Sequence, residues 1–295
     1  MVTKSFAKLN LYLRVLNKRK DNFHNLSTLF ARIDLADTLI FRKRKDNLIK
    51  IKCNSPGVPK DETNLCYRAA ALLKQEAKLS LGIEIELKKY IPVGAGLGGG
   101  SSNAANVLLS LNKFWDLNLP KTRLVKLGAK LGSDVPFFIH QVKFALGSQR
   151  GDKIKPLISL DKLKLWFILV YPGFKVSTPL IYQKFDTCLP VGKAFSGLTR
   201  SGCNVKILTS ELLKKGKGID AKCLVNDLEI VTTSLYPVLN RVKNVFSDLG
   251  LKKIMMSGSG AAVFAICNGR KQAQDLSSKL ANKNKVWQVF AVSTV

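Results

Sequence analysis

The sequence predicts a mixed α/β protein of the α+β class, organised as two lobes. Three observations carry that expectation. Apolar and polar residues alternate over positions 6–15 and 83–88, as they do in half-buried strands. Capping residues between Asp61 and Asn64 precede Leu65, Ala69, Leu72 and Leu73 at helical spacing. Strand-like and helix-like stretches then interleave to the C-terminus.

In the first strand, Ala7, Leu9, Leu11, Leu13 and Val15 form one apolar face, and Lys8, Asn10, Tyr12 and Arg14 point the other way. Ile83 to Lys88 repeats the pattern with Glu84 and Glu86 on its polar side. A glycine-rich segment follows, then a helix from near Ser101 and a second helix from Thr122 to Leu131. The charged stretch Asp152 to Lys164, broken by Pro156, is the expected boundary between lobes of residues 1–155 and 156–295. Beyond it, Trp166 to Val170 reads as a buried strand, Val225 to Leu249 as helical, Lys253 to Ser257 and Ala261 to Cys267 as strands, and Trp287 to Val292 as a last strand.

Composition narrows the function classes. At 295 residues and 46% hydrophobic content the chain can bury one large core or two modest ones, which argues against disorder. A net charge of +28 points to a polyanionic partner: nucleic acid, a membrane surface or a phosphorylated metabolite. The charge is diffuse, however. Its densest run, Arg42-Lys43-Arg44-Lys45, ends a strand before Asp46 and reads as a solvated hairpin tip or as a phosphate patch. Lys4, Lys8 and Arg14 interrupt the start too often for a signal peptide, and no run approaches a membrane span, so a soluble, cytoplasmic protein is expected. The six cysteines lack a CxxC pair and read as reduced core thiols; His24 and His140 alone exclude a histidine-rich metal site.

The strongest chemical motif is Pro92-Val93-Gly94-Ala95-Gly96-Leu97-Gly98-Gly99-Gly100-Ser101-Ser102, between a strand and a helix. Glycines let backbone N–H groups approach an anion, and a helix N-terminus adds unpaired donors, so a triphosphate would fit; a mobile linker is the plainer reading. The embedded G-x-G-x-x-G is no dinucleotide fingerprint, because the preceding strand is not apolar on both faces and a helix, not a strand, follows. No P-loop motif occurs. Asp134, ahead of an apolar run, is either a partly desolvated base or a helix cap. Lys8 and Asn10, on one strand face, either hold a phosphate and a hydroxyl or lie on a solvated surface. Phe23 and His24 offer stacking and hydrogen bonding to a nucleobase, or form an ordinary loop cluster. Ser257-Gly258-Ser259-Gly260 is a tight connection or a second backbone surface facing the first glycine loop.

In order along the chain, these segments resemble the GHMP kinases, small-molecule kinases named for galactose, homoserine, mevalonate and phosphomevalonate. The resemblance rests on AKLNLYL (Ala7 to Leu13), PVGAGLGGGSS (Pro92 to Ser102) and SGSGAAVFA (Ser257 to Ala265), with near end-to-end coverage. Asp21 to His24, Leu131 to Phe138, Tyr171 to Thr178 and Asn226 to Glu229 resemble the branch acting on a cytidine diphosphate-linked polyol. The resemblance implies a glycine-loop lobe, a ferredoxin-like lobe and a site in the cleft between them. It implies transfer of a phosphoryl group from ATP to a hydroxyl, with Asp134 as base, Lys8 stabilising the alkoxide, and Pro92 to Ser102 cradling ATP. Asn10, Phe23, His24 and Thr178 would bind the acceptor, and Mg²⁺ would arrive with ATP, Ser102 being the protein hydroxyl offered to it. The implied partners are small molecules, with no specific nucleic acid and no membrane, for a monomer or homodimer. Another acceptor of homoserine or mevalonate type is the alternative within the family; a basic nucleic-acid-binding protein is the alternative outside it, and the chain lacks a basic helix or an RNP-type aromatic sheet motif. The chain departs from the family at Asn22, where glycine is usual, at Ala261, and across Gly147 to Asp152.

Overall fold

A computed structural model describes residues 1–188, 203–214 and 220–295. Its frame is a long antiparallel ribbon of β1 (Val2–Lys18) and β2 (His24–Arg44). The turn between them places Asn22 at φ +62°, the left-handed conformation that asparagine tolerates better than most residues. Then follow β3 (Ile49–Cys53), α1 (Leu65–Ala77), β4 (Gly82–Lys88), α2 (Gly99–Phe114), α3 (Lys121–Leu131), α4 (Val135–His140), β5 (Phe144–Gln149) and β6 (Lys153–Pro156). Asn64 caps α1 by accepting the Cys66 N–H at 2.8 Å.

The first sheet has the order β3-β4-β2-β1, and β2 is long enough to pair β5 through Leu26–Ala31 and β4 through Thr38–Arg44 along the same edge. Because β4 inserts between β2 and β3, Arg42 to Lys45 is not a hairpin tip; it begins the turn that carries the chain past β4. Arg42 pairs across strands with Glu86 at 2.6 Å and Arg44 pairs with Asp46 at 2.5 Å, both solvated ion pairs.

The second sheet is antiparallel, with order β11-β7-β10-β9, from β7 (Trp166–Tyr171), β9 (Ile254–Met256), β10 (Val263–Cys267) and β11 (Gln288–Ser293). Relative to sequence this is the 4-1-3-2 order of a ferredoxin-like lobe. Between β7 and β9 run α5 (Thr178–Cys188), α6 (Val205–Leu213), β8 (Val225–Asn226), α7 (Glu229–Leu235) and α8 (Val238–Asp248); α9 (Arg270–Lys283) precedes β11. The expectation of one helix from Val225 to Leu249 is corrected. β8 leaves the lobe to pair with Tyr12 and Leu13, Asp227 accepts the Val15 N–H, and Pro237 separates α7 from α8.

Two cores result. Phe30, Leu39 and Phe41 of β2 pack with α1 to α4, while Ala7, Leu9, Leu11 and Val15 of β1 share a core with the second sheet. The expectation of six reduced core thiols is also corrected: Cys203 and Cys223 form a disulfide with Cα atoms 5.2 Å apart, and Cys188 is exposed. One cysteine precedes α6 and the other follows it, a pairing that linear spacing does not reveal. Among the described residues no helix is long and apolar enough to cross a membrane.

Candidate active site

The glycine loop is held by its carbonyls. Those of Gly94, Ala95, Gly96 and Leu97 accept, in turn, Val176 N–H (3.0 Å), Ala262 N–H (3.1 Å), the Ser257 hydroxyl (3.1 Å) and Lys8 N–H (3.0 Å). Ala95 and Leu97 turn inward and are buried, while Gly94, Gly96 and Gly98 take positive φ between them. With the carbonyls tied to the body, the N–H groups of Gly94 to Gly98 take no partner among the described residues. They continue into the first turn of α2, whose amides have none within the helix, so the arrangement is an anion nest. Gly96 has no alternative residue here, because a Cβ would stand 2.0 Å from the Ser257 carbonyl oxygen.

Asp37 fixes the entrance to this loop. Fully buried on β2, it pairs with Lys89, accepts the N–H groups of Tyr90 (2.7 Å) and Ile91 (2.9 Å), and accepts Asn103 from α2 (2.9 Å). Past the loop the cleft continues into an apolar recess with Val58, Pro59, Leu65 and Leu87 on its wall. Burial pushes the nearby Cys66 thiol up to about 12, so it stays protonated.

At the centre, the Lys8 ammonium stands 3.3 Å from Asp134 Oδ2, 2.5 Å from Asn10 Oδ1 and 5.6 Å over the Phe30 ring. Asn10 donates to Thr28 (2.8 Å), whose hydroxyl donates to the Tyr12 carbonyl (2.7 Å), so the amide oxygen is turned toward Lys8. The reading of this strand face as solvated is corrected: Lys8 and Asn10 are 4% and 2% exposed, because the glycine loop closes over them. Asp134 occupies the residue before α4 yet makes no side-chain cap bond. Its carboxylate points at Lys8 and lines the cleft.

At the other end lies an aromatic pocket. Phe23 is 49% exposed with Arg150 over its ring at 5.1 Å. His24 is buried, stacks on Tyr182 with centroids 5.1 Å apart, and meets Asp186 at 2.7 Å through Nε2. Lys18 binds the other Asp186 oxygen at 2.7 Å. Burial alone would raise the Asp186 carboxyl, but the Lys18 and His24 bonds hold it below the ordinary range. Thr178 and Ser259 share a hydrogen bond of 2.7 Å beside this pocket. The connection Ser257 to Gly260 joins β9 to β10 and also faces the glycine loop, so both readings of it apply; Asn226 braces it through the Met256 and Gly258 carbonyls at 2.8 Å each.

One cleft of about 980 Å³ joins these parts. It is lined by Lys8, Asn10, Phe23, His24, Asp134, Thr178 and every residue from Pro92 to Ser101. Ser102 is the exception. Its hydroxyl is fully buried and accepts from Ser5 at 2.7 Å, so Ser101, and not Ser102, presents a hydroxyl to the cleft. Asp37, Lys89, Thr28, Tyr182 and Asp186 carry no motif that marks them in the sequence, and Arg150 is marked only by the departure across Gly147 to Asp152. The local signal for Asp37 was an acid within an apolar strand, which it shares with Asp34; the others are defined by contacts distant in sequence.

A backbone anion nest facing a buried lysine and its half-buried aspartate partner, in a cleft between an α/β lobe and a ferredoxin-like lobe, is the arrangement of a small-molecule phosphotransferase. Residues 64–141 match the GHMP kinases N terminal domain and residues 209–286 the GHMP kinases C terminal domain. A 4-diphosphocytidyl-2-C-methyl-D-erythritol kinase of Syntrophus aciditrophicus (strain SB) is 40% identical over 293 residues, covering 98% of this chain and 97% of that protein. A crystal structure of 4-(cytidine 5'-diphospho)-2C-methyl-D-erythritol kinase superposes with a TM-score of 0.79 at 33% identity, covering 99% and 98% of the two chains. A homoserine kinase from Cytophaga hutchinsonii shares the fold at a TM-score of 0.71 and 20% identity, over 100% of this chain and 95% of that one. The chain belongs to the GHMP kinases and is a small-molecule kinase that uses ATP.

Proposed function

We propose that the chain transfers the γ-phosphoryl group of ATP to the 2-hydroxyl of 4-diphosphocytidyl-2-C-methyl-D-erythritol. The observation that carries this reading is the Lys8–Asp134 pair, set between a phosphate nest and an aromatic pocket containing a histidine. An acceptor with a nucleoside at one end and a hydroxyl at the other spans those two features; homoserine and mevalonate have no group for the second.

In this reading Asp134 takes the proton of the attacking hydroxyl, and Lys8 stabilises the developing alkoxide and the phosphoryl group in flight. Asn10 orients Lys8 and the hydroxyl together. The nest from Pro92 to Ser101 holds the ATP phosphates, Phe23 and His24 receive the cytosine, and Thr178 contacts the acceptor near them. Mg²⁺ neutralises phosphate charge and is held chiefly by phosphate oxygens and water. The residues that would reach it are Ser101 and Asp134, which line the cleft beside the nest. We also propose residues 1–155 and 156–295 as the two lobes. The protein acts in the cytoplasm as a monomer or homodimer, on small molecules and without a specific nucleic acid.

The test is ADP release with Mg²⁺–ATP and a panel of acceptors. Turnover with the cytidyl acceptor, and none with homoserine or mevalonate, supports the reading. The reverse preference, or salt-sensitive nucleic-acid binding with no turnover of any acceptor, overturns it.

A further inference from the structure

The segment Gly147 to Asp152, which departs from the family pattern, forms the tip of the β5–β6 hairpin, and Gln149 pairs with Leu26 just inside the aromatic pocket. Gln149 and Gly151 take φ of +57° and +88°, which turns the tip so that Arg150 and Gly151 line the cleft. Arg150 is held in two ways. Its Nε and Nη2 both donate to Asp152 Oδ2, at 3.1 and 2.6 Å, and its guanidinium lies over Phe23. Nη1 has no partner among the described residues.

The neighbouring cations are committed elsewhere. Arg19 spends Nε and Nη2 on Asp21 and Nη1 on Asn25, Lys18 is bound to Asp186, and Lys8 is bound to Asp134 and Asn10. Lys89 is paired with Asp37, so among the described cations lining the cleft Arg150 is the one that keeps an open edge of a planar fork, in a plane fixed by a carboxylate on one side and a ring on the other. Such an edge matches two phosphate oxygens.

We propose that Arg150 is a substrate-binding residue that grips the diphosphate of the acceptor, next to the nucleobase at Phe23. The inference rests on the functional reading above, which puts the nucleoside in the aromatic pocket and the reacting hydroxyl at Asp134, so that the diphosphate lies between. Asp152 is the positioning residue: its Oδ2 orients the guanidinium, while its Oδ1 is buried without a partner among the described residues.

Removing Arg150 alone strands a buried carboxylate, so the test uses Arg150→Gln together with Asp152→Asn, which keeps a neutral hydrogen-bonded pair at the tip, beside Arg150→Lys. The expected result is a KM for the cytidyl acceptor raised roughly 10- to 100-fold, with kcat and the KM for ATP retained. Lysine recovers only part of the loss, because it has charge but no fork. The deciding measurement is competitive inhibition by cytidine 5'-diphosphate and by cytidine: the variants lose the diphosphate's advantage and keep the wild-type inhibition constant for cytidine. If both inhibitors weaken equally, Arg150 only props Phe23 and the proposal is overturned; unchanged inhibition by both also overturns it. A wild-type enzyme that neither binds cytidine nor turns over the cytidyl acceptor overturns the functional reading itself, and the proposal with it.

Discussion

Lys8 and Asp134 meet at 3.3 Å although one lies on the first strand and the other just ahead of a short helix, and neither forms another ion pair among the described residues. A buried ammonium and a carboxylate in one cleft stabilise each other and face the same space. Asp134→Asn and Lys8→Ala should each lower turnover by at least ~10²-fold. In the proposed mechanism both act on one proton and one oxygen, so the double variant should lose far less than the product of the two single losses. ADP-release rates of the three variants decide this. Near wild-type rates in the single variants would remove both residues from the mechanism.

Gly96→Ala should abolish nucleotide binding. The substitution forces a Cβ against the Ser257 carbonyl and strains a backbone at φ +75°. Gly250→Ala is the control, since its φ of +80° gives a similar strain with nothing within 4 Å. Both should lose about 1–2 kcal/mol or more in a urea melt. Only Gly96→Ala should also lose binding of a non-hydrolysable ATP analogue, measured by calorimetry.

Asp37→Ala should destabilise the fold by roughly 3–5 kcal/mol, because it leaves Lys89 buried and uncompensated and frees the N–H groups of Tyr90 and Ile91. Asp37→Asn keeps an acceptor and should lose less. Chemical denaturation at pH 7 measures both, and a loss below about 1 kcal/mol for alanine would show that the glycine loop does not depend on this anchor.

The Asp186 carboxyl gives a pH dependence whose sign follows from its lowered value. The unfolded chain takes up a proton at a higher pH than the folded one, so the stability from this group is complete above the ordinary value of 3.8 and is lost as pH falls through the native value. Asp186→Asn should therefore be less stable than wild type at pH 7, and the two curves should converge in acid. Parallel curves across the acid range would contradict the pairing with Lys18 and His24.

Much of the frame was legible because it depends on local chemistry. The alternation from Ala7 to Val15 marked β1, Asn64 marked the start of α1, and the glycines from Gly94 to Gly100 marked the loop ahead of α2. The environment of Lys8 was not legible from its own strand, because what covers it is the glycine loop, far along the chain. Asp134 looked equally like a cap and a base, and only the structure shows that its side chain makes no cap bond and points to Lys8. Pro237 could have divided the helix expected from Val225 to Leu249. The pairing of Val225 and Asn226 with β1, the Cys203–Cys223 bond and the approach of Asp186 to His24 are long-range events that leave no mark on spacing. Most of the +28 charge lies outside the site and has no counterpart in it.

The carbonyls of the glycine loop are shared between the lobes: Lys8 on the N-terminal side holds one, and Val176, Ser257 and Ala262 on the C-terminal side hold three. Swinging the lobes apart would pull the nest out of shape before it opened the cleft. Substrate exchange should therefore proceed through movement of the rim, at the turns carrying Gly57, Phe23 and Arg150, while the two sheets stay locked together through every catalytic cycle.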